Sequence, residues 1–205
     1  MMHFTDITGL AGVAFAIYLF ILRYIYFPRV SSRTKVALTG LVLIAVFLPL
    51  GGLSIAELLR GISGDLSIAS LVLLSAGLCR MLLPSPAGRG IEGDGSCTSG
   101  LQIFIFFSAL ALYPFALGLG MFDPYRLGFG NVWFVAALLL IALVAWLKQF
   151  TLVALSVSLA VLAWSVGWYE SSNLWDYLLD PWGAIYAMVV LVKNGVVKLR
   201  GIVSR

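Results

Sequence analysis

Four carboxylates of this chain have the type and spacing to do chemistry: Asp123, Glu170, Asp176 and Asp180. Brought together, such groups serve general acid–base work or hold a divalent cation, because hard cations take oxygen ligands. Three of the four lie in the stretch 168–182, WYESSNLWDYLLDPW. Read as a helix at 100° per residue, it sets Leu174, Trp175, Leu178, Leu179 and Trp182 on one side and Glu170, Asn173, Asp176 and Asp180 on the other. Tyr177 alone breaks the pattern. An apolar and aromatic face opposite an acidic one fits a helix lying at a membrane surface, expected over 170–180. The acidic face has three readings: a solvated surface, a cation or reaction site helped by Asp65 or Asp123, or a docking surface for a basic partner. The docking reading names Glu170, Asn173, Trp175, Asp176, Asp180 and Trp182, with Asp123 from another connection.

Other motifs carry less. FDPY at 122–125 echoes LDPW at 179–182, and each places Asp before Pro at the start of a helix. Either the two aspartates converge on one site, or Asp-Pro is a good helix start used twice; the second is the simpler reading. The run Gly88–Gly93 matches GxGxxG, but no strand precedes it, so it reads as a flexible linker. His3 is the only histidine, so haem held by two histidines and a His-rich zinc site are both ruled out for this chain alone. No cofactor or metal is expected. Cys79 and Cys97 show no metal-ligand spacing and read as free thiols.

The elements that would position these residues are membrane-like. Hydrophobic residues make up 61% of the 205, charged residues only 11%, and the mean hydropathy is +1.05. Soluble domains carry roughly 25% charged residues, so too little polar surface exists here to face water alone. The expected architecture is an all-α bundle of about seven transmembrane helices in one domain, 1–205. The spans are expected at about 7–25, 36–53, 66–83, 101–121, 132–147, 150–166 and 181–197, with a polar linker at 84–100. Six spans plus a surface helix is the alternative, because the last apolar run meets Lys193 after 12 residues. Pro114 should kink the fourth span. Ala154/Ser158 and Ser156/Ala160 give the sixth small-residue faces for close packing. No cleavable signal peptide is evident, so the first span is expected to be retained.

Charge sets the expected orientation. Alternate connections hold 11 of the 13 basic residues: Arg23, Arg29, Arg33, Lys35, Arg80, Arg89, Lys148, Lys193, Lys198, Arg200 and Arg205. The opposite side holds Arg60 and Arg126, with seven of the nine acids: Asp6, Glu57, Asp65, Asp123, Glu170, Asp176 and Asp180. The positive-inside rule places the N-terminus outside and the C-terminus in the cytoplasm. Trp133, Trp168, Trp175 and Trp182 edge the acidic outer side as an aromatic belt. Short loops and the absence of a glycosylation sequon in the outer connections point to a bacterial inner membrane.

Basic residues at helix ends do not form a nucleic-acid surface. The centres of all the expected spans lack charge, which weighs against an ion-coupled carrier. The reading that follows is a non-catalytic inner-membrane subunit or accessory protein. It would dock or regulate a membrane or periplasmic partner at the outer face of a cell-envelope complex, with membrane lipids around it. The alternatives are an enzyme acting on a lipid-linked or envelope substrate through the outer carboxylates, and a small transporter or flippase with Ser67, Ser70, Ser75, Ser156 and Ser158 lining a cavity.

Overall fold

The computed structural model describes residues 4–24, 32–49, 51–82 and 92–203. Among them every regular element is helical and no strand occurs. Two compact units divide the chain: residues 1–66 with 168–170, and residues 67–167 with 171–205. The basic connection around Arg29, His3 and residues 84–91 of the expected linker lie outside the described residues.

The first unit contains α1 (Phe4–Tyr24), α2 (Ser32–Phe47) and α3 (Ile55–Ser63). Leu10, Val46 and Ala56 form its small core, with Ile17 against it. The short helix α3 is well capped. The Ser54 hydroxyl accepts from Glu57 N–H and Ser54 N–H donates back to Glu57, which satisfies both orphan donors of a capping box. Gly64, at φ 69°, ends it by donating to Arg60 C=O. Ile55, Leu58, Leu59 and Ile62 form an exposed apolar stripe at helical spacing. The expected helix over 170–180, by contrast, is a single short turn, Leu174–Leu178.

The second unit contains α4 (Ile68–Leu82), α5 (Glu92–Ala116), α6 (Val132–Leu147), α7 (Thr151–Ser165), α8 (Leu174–Leu178) and α9 (Pro181–Val203), with a 3₁₀ turn over Pro124–Gly128. Its centre is α7, which touches α4, α5, α6 and α8. Small residues allow this: Ala154, Ser156, Ala160 and Ala163 are all buried on α7 beside Val153 and Val157, whereas Ser158 faces outward. On α5, Leu101, Ile105, Ala109 and Leu112 make a buried row at the spacing of one helix face. A tight turn joins α6 to α7: Gln149 takes a left-handed φ of 65°, and Phe150 N–H reaches back to Ala145 C=O.

Three expected boundaries shift. The fourth span ends at Ala116 rather than Met121, because Gly118 (φ 93°) and Gly120 (φ 141°) leave the helical region. Pro114 thus sits in the last turn, not at a mid-span kink. Residues 92–100 of the expected linker are helical and extend α5 backwards. The helix expected over 170–180 shrinks to Leu174–Leu178, since Asn173 and Leu179 both take extended backbone.

Length and composition single out two described helices as able to cross a membrane, Thr98–Ala116 and Pro181–Arg200; a seven-span bundle is not confirmed. The apolar helices Ile68–Gly77, Val132–Leu147 and Thr151–Ser165 are shorter.

The packing of α7 is testable. Ala160 is completely buried, so Ala160→Leu should destabilise by about 1–3 kcal/mol through overpacking. Leu162 on the same helix is 59% exposed, and Leu162→Ala should stay within about 0.5 kcal/mol. Thermal unfolding in detergent distinguishes the two.

Candidate functional site

The carboxylate of Asp180 lies where two helices begin. Its Oδ2 accepts Ser67 N–H (3.0 Å), the Ser67 hydroxyl (2.6 Å) and the Ser70 hydroxyl, and its Oδ1 accepts Gly183 N–H (2.7 Å). Asp180 caps α9, where Pro181 at the first helical position needs no donor of its own. Through Ser67 it also holds the start of α4, where the Ser67 hydroxyl in turn accepts Ser70 N–H. Ser67 is thereby the cap of α4. The positive ends of two helix dipoles converge on one carboxylate, which is 4% exposed. Gly183 makes the approach possible: a β-carbon there would overlap the Ser70 hydroxyl and crowd Asp180.

A second layer is organised by Asn173. Its side-chain oxygen accepts Trp175 N–H (3.0 Å), capping α8, and its amide donates to Tyr125 C=O (3.0 Å). The Trp175 indole donates to Pro124 C=O (2.9 Å) and its ring lies 4.8 Å from that of Phe134. Gly128 packs so closely on Asn173 that any β-carbon would overlap the amide. Asp176 accepts the Tyr125 hydroxyl on both oxygens (3.1 and 3.0 Å) and the Ser171 hydroxyl on one. Burial first, then the Asp176 charge, push the Tyr125 phenol from its ordinary 10 up to about 12. Asp123 caps the 3₁₀ turn by accepting Tyr125 N–H (2.9 Å).

The chain matches no protein-family model, no curated protein and no solved structure.

The residues named from the sequence separate into distinct places. Asn173, Trp175 and Asp180 are buried, Asp123 and Asp176 are partly buried, and Trp182 is 51% exposed. Asn173, Trp175 and Asp176 gather on Tyr125 and Pro124, next to Asp123. Asp180 goes to Ser67 and Ser70. The polar stripe expected along a continuous helix does not form, because Asn173 and Asp180 are caps whose side chains turn back onto backbone N–H groups. Tyr177, the outlier of that pattern, is fully buried and donates to Ser171 C=O. Asp123 and Asp180 each serve their own helix start, in line with two independent uses of Asp-Pro. Among the described residues no group of three or more His, Cys, Asp or Glu side chains is placed to hold a metal ion.

Glu170 belongs to the first unit and to a different cluster. There Arg60 reaches Asp65 (2.7 Å), Asp6 (2.8 Å) and Glu170 (3.6 Å). The Asp65 carboxylate raises the Arg60 guanidinium further above its ordinary range against partial burial, and Asp6 adds to it. Ser54 N–H, and then its hydroxyl, hold Glu57 below the usual carboxylate range. A cavity of about 460 Å³ opens beside them, lined by Arg60, Asp6, Glu57, Asp65, Glu170, Leu10 and two glycines. Gly9 lets α1 pass close by, since a β-carbon there would overlap Asp65 and Arg60. The hydroxyl of Tyr169 donates to Leu66 C=O (2.7 Å), and that of Thr8 to Trp168 C=O (2.8 Å). Arg60 was legible in the sequence only as one of two bases on an acidic side.

Two outcomes follow. Asp180→Asn places an amide donor among four donors, and it should cost about 2–4 kcal/mol, against about 1 kcal/mol for Ser70→Ala; unfolding in detergent measures both. The raised Tyr125 value makes a pH signature. The neutral phenol is favoured by folding, so its stabilisation is complete below pH 10 and is lost as pH rises from 10 towards 12. In Tyr125→Phe that alkaline loss should shrink.

Proposed function

We propose that the chain is a polytopic inner-membrane protein, N-terminus outside and C-terminus in the cytoplasm, that serves as a non-catalytic subunit holding a partner at its outer face. The observation that carries this reading is the use made of the outer carboxylates in the second unit. Asp180, a buried cap, and Asp176, partly buried, are both occupied by intrachain donors. Groups so engaged suit a platform better than a reaction centre, where a nucleophile or base needs an open approach. Apolar surface of the kind lipid covers supports the membrane reading: exposed Leu139, Leu140, Leu143 and Leu147 on α6, and Val189 and Val192 on α9. The apolar stripe of α3 suits an interfacial position.

Contact with the partner falls to the groups left outside in the second unit: Trp182 and the exposed edge of Asp123 and Asp176. Asn173, Trp175 and Asp180 keep these in place. Exposed aromatic residues and carboxylates suit a basic, aromatic-binding surface on the partner.

A second reading is favoured by the Arg60 cavity. Its volume lies within the range of ligand sites, and it brings four carboxylates beside one guanidinium. An enzyme acting on an envelope or lipid-linked substrate would place that substrate there.

Affinity purification of the tagged chain from native membranes in mild detergent tests the first reading. A stoichiometric companion is expected, reduced about tenfold by Trp182→Ala at unchanged chain abundance. A monodisperse chain with no companion would overturn it and direct attention to the Arg60 cavity, where Glu57→Gln and Arg60→Gln become the informative variants.

A further inference from the structure

The connection from α5 to α6 falls into two parts. The second, residues 123–128, is fastened to the chain: Pro124 C=O accepts the Trp175 indole, Asp176 accepts the Tyr125 hydroxyl, and Pro124 and Gly128 are buried. The first, residues 117–122 with the sequence LGLGMF, is exposed throughout. Its four large side chains, Leu117, Leu119, Met121 and Phe122, run from 62% exposed at Phe122 to full exposure at Met121. The bend that presents them has a defined shape. Gly118 and Gly120 hold left-handed φ values, and the Phe115 ring lies so close to Gly120 that a β-carbon there would crowd it.

The backbone of this bend is open as well. Leu117, Gly118 and Leu119 still donate to Tyr113, Phe115 and Pro114 C=O at the end of α5. The next three N–H groups, on Gly120, Met121 and Phe122, have no acceptor among the described residues. Hydrocarbon cannot surround such a segment, because unpaired backbone groups find no partner among lipid tails. Water alone leaves four large apolar side chains uncovered. The boundary between headgroups and acyl chains serves both needs: its water and ester carbonyls meet the N–H groups, while the tails beneath receive the side chains.

The level of the bend agrees. It begins directly after Ala116, where the apolar stretch Thr98–Ala116, long enough to cross a membrane, ends. At the far side of the connection α6 opens with Trp133, 84% exposed, and indoles favour that same boundary. No charged residue occurs in 117–122. Asp123, the first one after it, turns back to cap the 3₁₀ turn. We infer that residues 117–122 form an interfacial anchor, a preformed apolar wedge seated in the headgroup–acyl boundary of the leaflet at that end of the second unit. The occupant of this surface is phospholipid. The wedge holds the end of α5, and through Pro124 the Trp175 indole, at a fixed depth. The inference rests on the membrane reading above.

A depth measurement on the full chain separates the inference from that reading. Cys79→Ser and Cys97→Ser remove the native thiols, and a nitrobenzoxadiazole label is carried on either Met121→Cys or Phe107→Cys. Phe107 stands near the middle of Thr98–Ala116, and both side chains are exposed, so neither label disturbs the core. Each purified chain is reconstituted into phosphatidylcholine vesicles containing lipid with a nitroxide near the carboxyl end or near the methyl end of the acyl chain. At position 107 the deep nitroxide is expected to quench most strongly. At position 121 the shallow nitroxide is expected to quench about threefold more than the deep one. A label at 121 that lipid nitroxides leave bright and aqueous iodide quenches, with 107 still in lipid, would overturn the anchor, leave the membrane reading standing and assign the bend to a protein partner. Strongest quenching from the deep nitroxide at both positions would overturn the boundary placement. Labels open to iodide at both positions would overturn the membrane reading itself.

Discussion

One buried carboxylate sets the geometry of the larger unit. Asp180 collects donors from Ser67, Ser70 and Gly183, and so ties the beginnings of α4 and α9 to one point. A carboxylate that must leave water needs several donors to offset its lost hydration. Two helix starts supply such donors in excess, because their first N–H groups have no partners within their own helices. Each problem solves the other. The glycine at 183 and the serines at 67 and 70 follow from this, since no larger side chain leaves room at that contact.

The layer formed by Asn173, Trp175 and Tyr177 depends on the same logic at smaller scale. A helix of five residues has almost no stability of its own. Here it is held by an Asn cap at one end, an indole bonded to Pro124 C=O, and Leu174 and Leu178 fully buried beneath it. Its acids cannot swing free without exposing these groups. The layer is consequently stiff, and its exposed edge presents a fixed surface.

Legibility in the sequence followed the strength of local signals. Asn131 and Lys148 bracket 16 uninterrupted apolar residues, so α6 could be placed to the residue. The sixth span was read at 150–166 against an observed Thr151–Ser165 for similar reasons. Stretch 170–180 misled because a helical wheel assumes one continuous helix. Asn173 and Asp180 were assigned to a solvent-facing stripe, although both residue types favour cap positions, where the side chain turns back to the backbone. The partnership of Asp180 with Ser67 spans 113 residues and leaves no local trace. α3 was missed although Ser54 and Glu57 have capping-box spacing; nine residues between glycine-rich turns are too few for periodicity to stand out. The Arg60 cluster combines residues from α1, α3 and 168–170, which only tertiary structure can gather.

The turn between α6 and α7 has a consequence for the order of assembly. Backbone bonds of Lys148, Gln149 and Phe150 close it, and so short a loop loses little entropy on closing. Pairing of α6 with α7 is therefore available as soon as residue 165 has been synthesised. The Asp180 contact is different, because its acceptor arrives long after Ser67 and Ser70 have been made. Until then the donors at the start of α4 are left to water. The second unit is thus closed at this point only after α5, α6 and α7 have been made.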